Sequence, residues 1–167
     1  MSKTAWLAVL AWLLAAGGIY YVVDARMNPN RNPSSQGGEV TLQRGMDGHY
    51  RATALINGEK VEVLVDTGAT GVAISSQTAE RLGLSSHVAA RTSTANGDAV
   101  AYITRLRSVK IGDVEAQDVA AMITPGLQGE ALLGMSFLGR MDVRLFRGSM
   151  TIKQGDEAIS APTAGDF

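Results

Sequence analysis

Val61-Glu62-Val63-Leu64-Val65-Asp66-Thr67-Gly68-Ala69-Thr70 is the stretch on which the reading of this chain turns. Four of the five residues before Asp66 are Val or Leu, the composition of a strand buried on both faces, and the run ends on a carboxylate. A carboxylate taken out of water must be neutralised, paired or put to use. Thr67 can donate and accept hydrogen bonds beside it, and Gly68 admits another backbone where a Cβ would clash. Asp66-Thr67-Gly68 by itself is a weak signal, because a structural aspartate that bonds loop amides in a turn reads the same way. Its setting strengthens it: the chain continues through Val72-Ala73-Ile74-Ser75 and is answered far downstream by Ala131-Leu132-Leu133-Gly134.

Outward from this stretch the chain reads as short strands separated by turn residues. Tyr50 to Ile56 and Glu59 to Val65 flank Asn57-Gly58, the strongest short-range hairpin signal, so Asp66 is delivered at the end of a hairpin's second strand. Ser76 to Leu82 suits a short helix capped by serine and stopped by Gly83. Arg91 to Tyr102 holds a second Asn-Gly turn between segments that can both be extended, small and polar enough for an exposed hairpin. Leu106 to Ile111, Val119 to Ile123 and Ala131 to Leu133 read as further strands, Met135 to Met141 as a helical turn. Asp142 to Phe146 and Met150 to Lys153 form a last hairpin across Arg147-Gly148-Ser149.

The N-terminal part is different in kind. Thr4 to Val23 is a twenty-residue run without a charge, with Trp6, Trp12, Tyr20 and Tyr21 in it, and its length matches the ~20 residues of helix that cross a bilayer. A single-pass helix over residues 1–25, short flanks included, is expected; a cleaved signal peptide is the rival, since Val23-Asp24-Ala25 offers a small residue, but the run exceeds the usual signal core of ~7–15 residues. Residues 26–38, rich in Asn, Pro, Ser and Gly, read as a flexible tether, 39–153 as the folded domain and 154–167 as a loose tail.

Composition narrows the function classes. The chain has 167 residues and a formal net charge of −1, with no basic block, which disfavours nucleic acid as a partner. It has no cysteine, which excludes disulfides and thiol catalysis. His49 and His87 stand in no metal-ligand spacing, so no metal and no cofactor is expected. Ser75 and Ser76 lack a Gly-x-Ser-x-Gly setting and read as helix caps, and Arg105, Arg107 and Lys110 as a solvated strand face.

Residues Val61 to Ser75 and Ala131 to Leu138 together resemble the retroviral-type (retropepsin-like) aspartic proteases, most closely a bacterial membrane-anchored branch, with the likeness running from about Tyr50 to Ile152. The resemblance implies an all-β domain, a closed β-barrel-type acid protease fold with one or two short helices, behind one transmembrane helix. It makes Asp66 the catalytic residue, Thr67, Gly68 and Ala69 the supporting loop, and the hairpin at Thr94, Ala95, Asn96 and Gly97 the flap over bound peptide. Leu132, Leu133 and Gly134 would pass beside the aspartate loop and support it. Two departures are visible: where retroviral enzymes carry a paired acid and arginine, this chain has Thr70 and Met135, so both partners are missing together and no orphan charge remains.

Hydrolysis of a peptide bond by carboxylates needs two of them close together, one protonated and one ionised. This chain offers one Asp-Thr-Gly. Two chains are therefore expected to meet at a two-fold axis, each giving one Asp66, with activity favouring mildly acidic pH. The resemblance and the short N-terminal flank imply a domain on the periplasmic side of the inner membrane, held by residues 4–23, that acts on peptide or protein substrates. The alternative is a tethered module of the same fold that grips an extended peptide without cutting it.

Overall fold

The computed structural model describes residues 3–27, 30, 33–94 and 97–155. A helix, α1, runs over Lys3–Met27, two residues past the expected end at 25. Within it Trp6–Arg26 is long and apolar enough to cross a membrane, and none of that window is buried. Trp12, Tyr20 and Tyr21 each expose about three quarters of their surface. A helix apolar all round and left uncovered by its own chain suits a lipid surround.

The rest is all-β with two short helices. Strands β1 (Ser34–Gln36), β2 (Glu39–Gln43), β3 (Tyr50–Ile56), β4 (Glu59–Val65) and β5 (Val72–Ile74) precede helix α2 (Ser76–Arg81). Strands β6 (Ala89–Thr94), β7 (Gly97–Ile111), β8 (Val114–Ile123) and β9 (Ala131–Leu133) follow, then helix α3 (Met135–Leu138) and strands β10 (Met141–Phe146) and β11 (Ser149–Gln154). One sheet has the order β3-β4-β9-β5-β8-β7-β6 and the other β1-β2-β11-β10. Leu55 and Ile56 of β3 pair back to Lys110 and Val109 of β7. That contact closes the larger sheet into the expected barrel, with β6 left outside the ring.

The closure has a local cause. Asn57 and Gly58 take φ of 53° and 92°, the left-handed pair of a two-residue turn that matches the twist of its strands. Asn57 then stitches this turn to β7: its N–H donates to the Ser108 carbonyl at 2.9 Å, and its Oδ1 accepts from the Ser108 N–H at 3.2 Å. The core that fills the barrel is aliphatic, with Ile56, Val61, Ile74, Leu106, Ile111 and Leu133 each at most 1% exposed. Each such side chain contributes about 1.5–3 kcal/mol over an exposed one.

Four details differ from what composition suggests. β4 alternates rather than being buried on both faces: Val61, Val63 and Val65 are inside, Glu62 is exposed and Leu64 half-buried. The tether region is partly ordered, since Ser34–Gln36 pairs with β2. Just before it Asn30 is buried. Its Nδ2 donates to the Gln43 carbonyl at 2.7 Å and its Oδ1 accepts from the Gln43 N–H at 2.6 Å, so one amide side chain stands in for a strand partner. Finally, β8 begins at Val114 because Asp118, poor in strand preference, sits at φ 50° without shifting the register. Its carbonyl accepts from Arg140 at 3.1 Å and from Arg105 at 3.3 Å. The expected tail loses Gln154 to β11, where its Oε1 accepts from the Glu115 N–H at 2.8 Å; residues 156–167 lie outside the described residues.

Candidate active site

β9 lies between β4 and β5, parallel to the first and antiparallel to the second. The loop from Asp66 to Gly71 joins those two flanking strands, so it must pass over the C-terminal end of β9. Sheet order alone thus brings Asp66 against Leu133 and Gly134, two segments far apart in sequence. The Asp66 N–H donates to the Leu133 carbonyl at 3.0 Å, and the Met135 N–H donates to the Ala69 carbonyl at 2.8 Å. These two bonds fix the loop at its start and its middle.

Gly134 is glycine for want of space. Its backbone, φ −105° and ψ −161°, suits any residue. A Cβ there would stand 2.4 Å from the Gly71 carbonyl oxygen and 2.5 Å from that of Ala69, both backbone atoms of the crossing loop.

The loop's own chemistry is centred on the carboxylate. The Gly68 N–H donates to Asp66 Oδ1 at 2.8 Å, and the Ala69 N–H to the Asp66 carbonyl at 3.3 Å. Asp66 is half-buried, while Thr67 and Gly68 are exposed. Among the described residues no donor of the chain reaches Oδ2. One carboxylate oxygen is therefore held by a backbone amide of its own loop, and the neighbouring Thr67 is exposed. Thr70 is exposed and Met135 is 45% exposed, so neither departure from the retroviral pattern leaves a buried gap.

Two supporting residues were not legible in advance. Ser136 Oγ accepts from the Val72 N–H at 2.9 Å and donates to the Ala120 carbonyl at 2.8 Å, tying the exit of the loop to β8. Glu130 sits at the entry to β9: it accepts from Arg81 at 2.7 Å and from the Glu62 N–H at 2.6 Å. The Arg81 hydrogen bond holds its carboxyl below the ordinary carboxylate range; burial opposes this, and the Glu62 amide adds a smaller lowering effect. A serine in a helical turn and an acid before a strand carry no pattern that would single them out.

Ser75 caps α2, its Oγ accepting from the Thr78 N–H at 3.2 Å, a bond worth about 1 kcal/mol. His49 and His87 are exposed, and among the described residues no three His, Cys, Asp or Glu cluster as a metal would require. Arg105 and Arg107 are exposed and Arg105 pairs with Asp118. The hairpin of β6 and β7 has Thr94 opposite Gly97. β8 pairs with β7 only from Tyr102 onward, so residues 97–101 are backed by β6 alone and the hairpin extends past the barrel. Its tip, Ala95 and Asn96, lies outside the described residues.

Residues 52–140 match the profile of the family described as gag-polyprotein putative aspartyl protease. This span holds the barrel, the aspartate loop and the Leu-Leu-Gly segment. The chain belongs to that family. Among solved structures it is similar to a retropepsin-like aspartic protease from Rickettsia conorii, with a TM-score of 0.64 and 31% identity over 74% of this chain and 96% of that one. An uncharacterised Sinorhizobium protein, encoded in the cobV 5′ region, is 34% identical over 113 residues, 65% of this chain and 48% of its own. An uncharacterised Rickettsia prowazekii protein is 34% identical over 124 residues, 72% of this chain and 53% of its own. The chain thus spans about half the length of these two curated relatives. For a retropepsin-like aspartic protease domain, the crossing of the Asp66 loop over β9 is the feature around which the barrel is built.

Proposed function

We propose that this protein is a membrane-tethered aspartic endopeptidase in which two copies each contribute one Asp66. The observation that carries the reading is the Asp66 carboxylate itself: anchored through Oδ1, with no donor of the described residues on Oδ2, and placed by two strands of a closed barrel. Two such groups brought together cannot both ionise, because like charges in contact leave one proton shared between them. The ionised partner takes a proton from water, the water oxygen attacks the peptide carbonyl carbon, and the protonated partner donates to the carbonyl oxygen. Collapse of that adduct breaks the C–N bond and gives an acid and an amine. Thr67 would interlock across the axis through its hydroxyl, Gly68 would let substrate backbone approach, and the hairpin at Thr94, Ala95, Asn96 and Gly97 would cover the bound peptide. The helix over residues 4–23 would hold the domain at the periplasmic face of the inner membrane. A shared membrane raises the local concentration of the two copies.

A second reading is a peptide-gripping module that does not cut. It is favoured by Thr70 and Met135, which forgo the ion pair that braces the retroviral dimer. The two readings part on one experiment. The full chain in detergent, incubated with a peptide library from pH 4 to pH 9, is expected to release new termini with an optimum on the acidic side of neutrality. Peptide retention without cleavage at every pH would select the module instead.

A further inference from the structure

The chain leaves α1 at Met27 and is tied to the folded domain again as early as Asn30. Asn30 is 3% exposed, and its side chain bonds both the N–H and the carbonyl of Gln43, at the end of β2. Consecutive Cα atoms stand about 3.8 Å apart, so Asn30 lies within about 11 Å of the last helical residue. The headgroups of a bilayer add roughly 5–7 Å beyond the hydrocarbon on each side. With α1 spanning as far as Arg26, the end of the domain that carries Gln43 therefore stands at the lipid surface, and no long tether lifts it away.

Two loops meet at that end. Ser149 pairs with Gln43, which sets the β10–β11 turn, Phe146 to Ser149, beside the β2–β3 loop of residues 44–49. The Arg44 N–H donates to the Gly148 carbonyl at 2.8 Å and joins the two. Each loop carries a large apolar side chain, Met46 at 85% and Phe146 at 71% exposure. Each also carries an arginine. The Arg147 guanidinium lies 5.2 Å from the centroid of the Phe146 ring, and Arg44 donates its Nε–H to the neutral Gly48 carbonyl at 2.7 Å. Among the described residues neither arginine pairs with a carboxylate; Asp47, the acid of the first loop, is taken by Arg51 at 2.9 Å. An exposed methionine or phenylalanine needs no explanation by itself. Apolar tips flanked by uncompensated cations, beside the point where the chain enters the membrane, have the composition of an interfacial anchor.

We propose that these two loops dock on the bilayer that α1 spans, with Met46 and Phe146 in the interface and Arg44 and Arg147 at the headgroups of anionic lipids. The proposal rests on the reading of α1 as a membrane span and adds a second contact, remote from it in sequence. It also orients the domain. The Asp113 N–H, just past the end of β7, donates to Ser35 Oγ at 2.7 Å, so that end of β7 lies by the tether. The β6–β7 hairpin is at the other end of the same strand and is held off the lipid, on the aqueous side.

The test uses the absence of cysteine from the chain. The single variants Leu13→Cys, Met46→Cys, Asp98→Cys and Phe146→Cys of the full chain, all at exposed positions, are labelled with a small fluorophore and reconstituted into vesicles of equal phosphatidylcholine and phosphatidylglycerol. Spin-labelled lipid quenches a label in the bilayer, and iodide quenches one in water. Position 13 reports on the span, position 98 is the aqueous reference, and each loop variant leaves the other apolar tip in place. Labels at 46 and 146 are expected to be quenched by lipid and shielded from iodide, and the label at 98 the reverse. In phosphatidylcholine alone, or with Arg44→Gln and Arg147→Gln added, the lipid quenching at 46 and 146 should be largely lost, since each arginine contributes roughly fivefold to the ratio of docked to free loops. Loop labels that iodide reaches as readily as position 98, while lipid quenches position 13, would overturn the docking and leave the anchor standing. Loop labels shielded from both quenchers would mean that protein, such as a second copy, covers them, and would overturn it too. So would lipid quenching indifferent to phosphatidylglycerol and to both arginines. A label at 13 reached by iodide and not by lipid would end the membrane-span reading and this one with it.

Discussion

Replacing Asp66 by Asn is expected to lower peptide hydrolysis by roughly 10³-fold or more, the range over which positioned acid–base groups act. The substitution is chosen for what it leaves alone. Asparagine keeps the shape of the side chain and an oxygen that can accept the Gly68 N–H, now at 2.8 Å from Oδ1. The Asp66 backbone bond to Leu133 is untouched. What disappears is the ionisable pair, since both copies change at once. Activity is read on a peptide found in the library, with circular dichroism and sedimentation to show that fold and association persist. Cleavage at the wild-type rate by Asp66→Asn would end the catalytic assignment and favour a loop-bonding aspartate.

The second large effect is structural. Gly134→Ala is expected to destabilise the domain by about 3 kcal/mol, at the upper end of what overpacking costs. For a chain of this size that lowers the melting temperature by about 6–12 °C. The new Cβ would meet two backbone oxygens, of Gly71 and Ala69, at 2.4 and 2.5 Å, and neither is the far end of a flexible side chain that could swing away. Relief requires the Asp66–Gly71 loop to rise off β9, which stretches the Met135 N–H to Ala69 carbonyl bond and displaces the carboxylate. Activity should therefore fall together with stability. An Ala variant that melts with the wild type and cleaves normally would mean that the loop does not rest on Gly134 as described.

Much of the barrel could be read from residues because its signals are local. Asn57-Gly58 specifies a turn type, and the apolar run of β4 leads straight to Asp66. The resemblance alone makes Gly134 a partner of the aspartate loop; its steric reason lies in the insertion of β9 between β4 and β5. Where the reading fell short, the cause was tertiary. Asn30 and Ser34–Gln36 look like linker until Gln43 and β2 supply partners for their polar groups. Asp118 looks like a strand terminator until Arg105 and Arg140 reach its carbonyl. Ser136 has no distinguishing pattern at all, because its role depends on Val72 and Ala120, both distant in sequence. Hydrogen bonds between distant segments leave no period in a sequence, whereas turns and buried strands do.

Mixing wild-type and Asp66→Asn chains tests most directly whether one acid from each of two chains makes the site. With a fixed amount of wild type and an equal amount of the variant, allowed to exchange partners, total dimers double and about one in four is wild type in both halves. Hydrolysis should then drop to about half its starting value, and keep falling as more variant is added. Activity that holds constant throughout the titration would show that each chain cleaves with its own Asp66 alone, and would contradict the account.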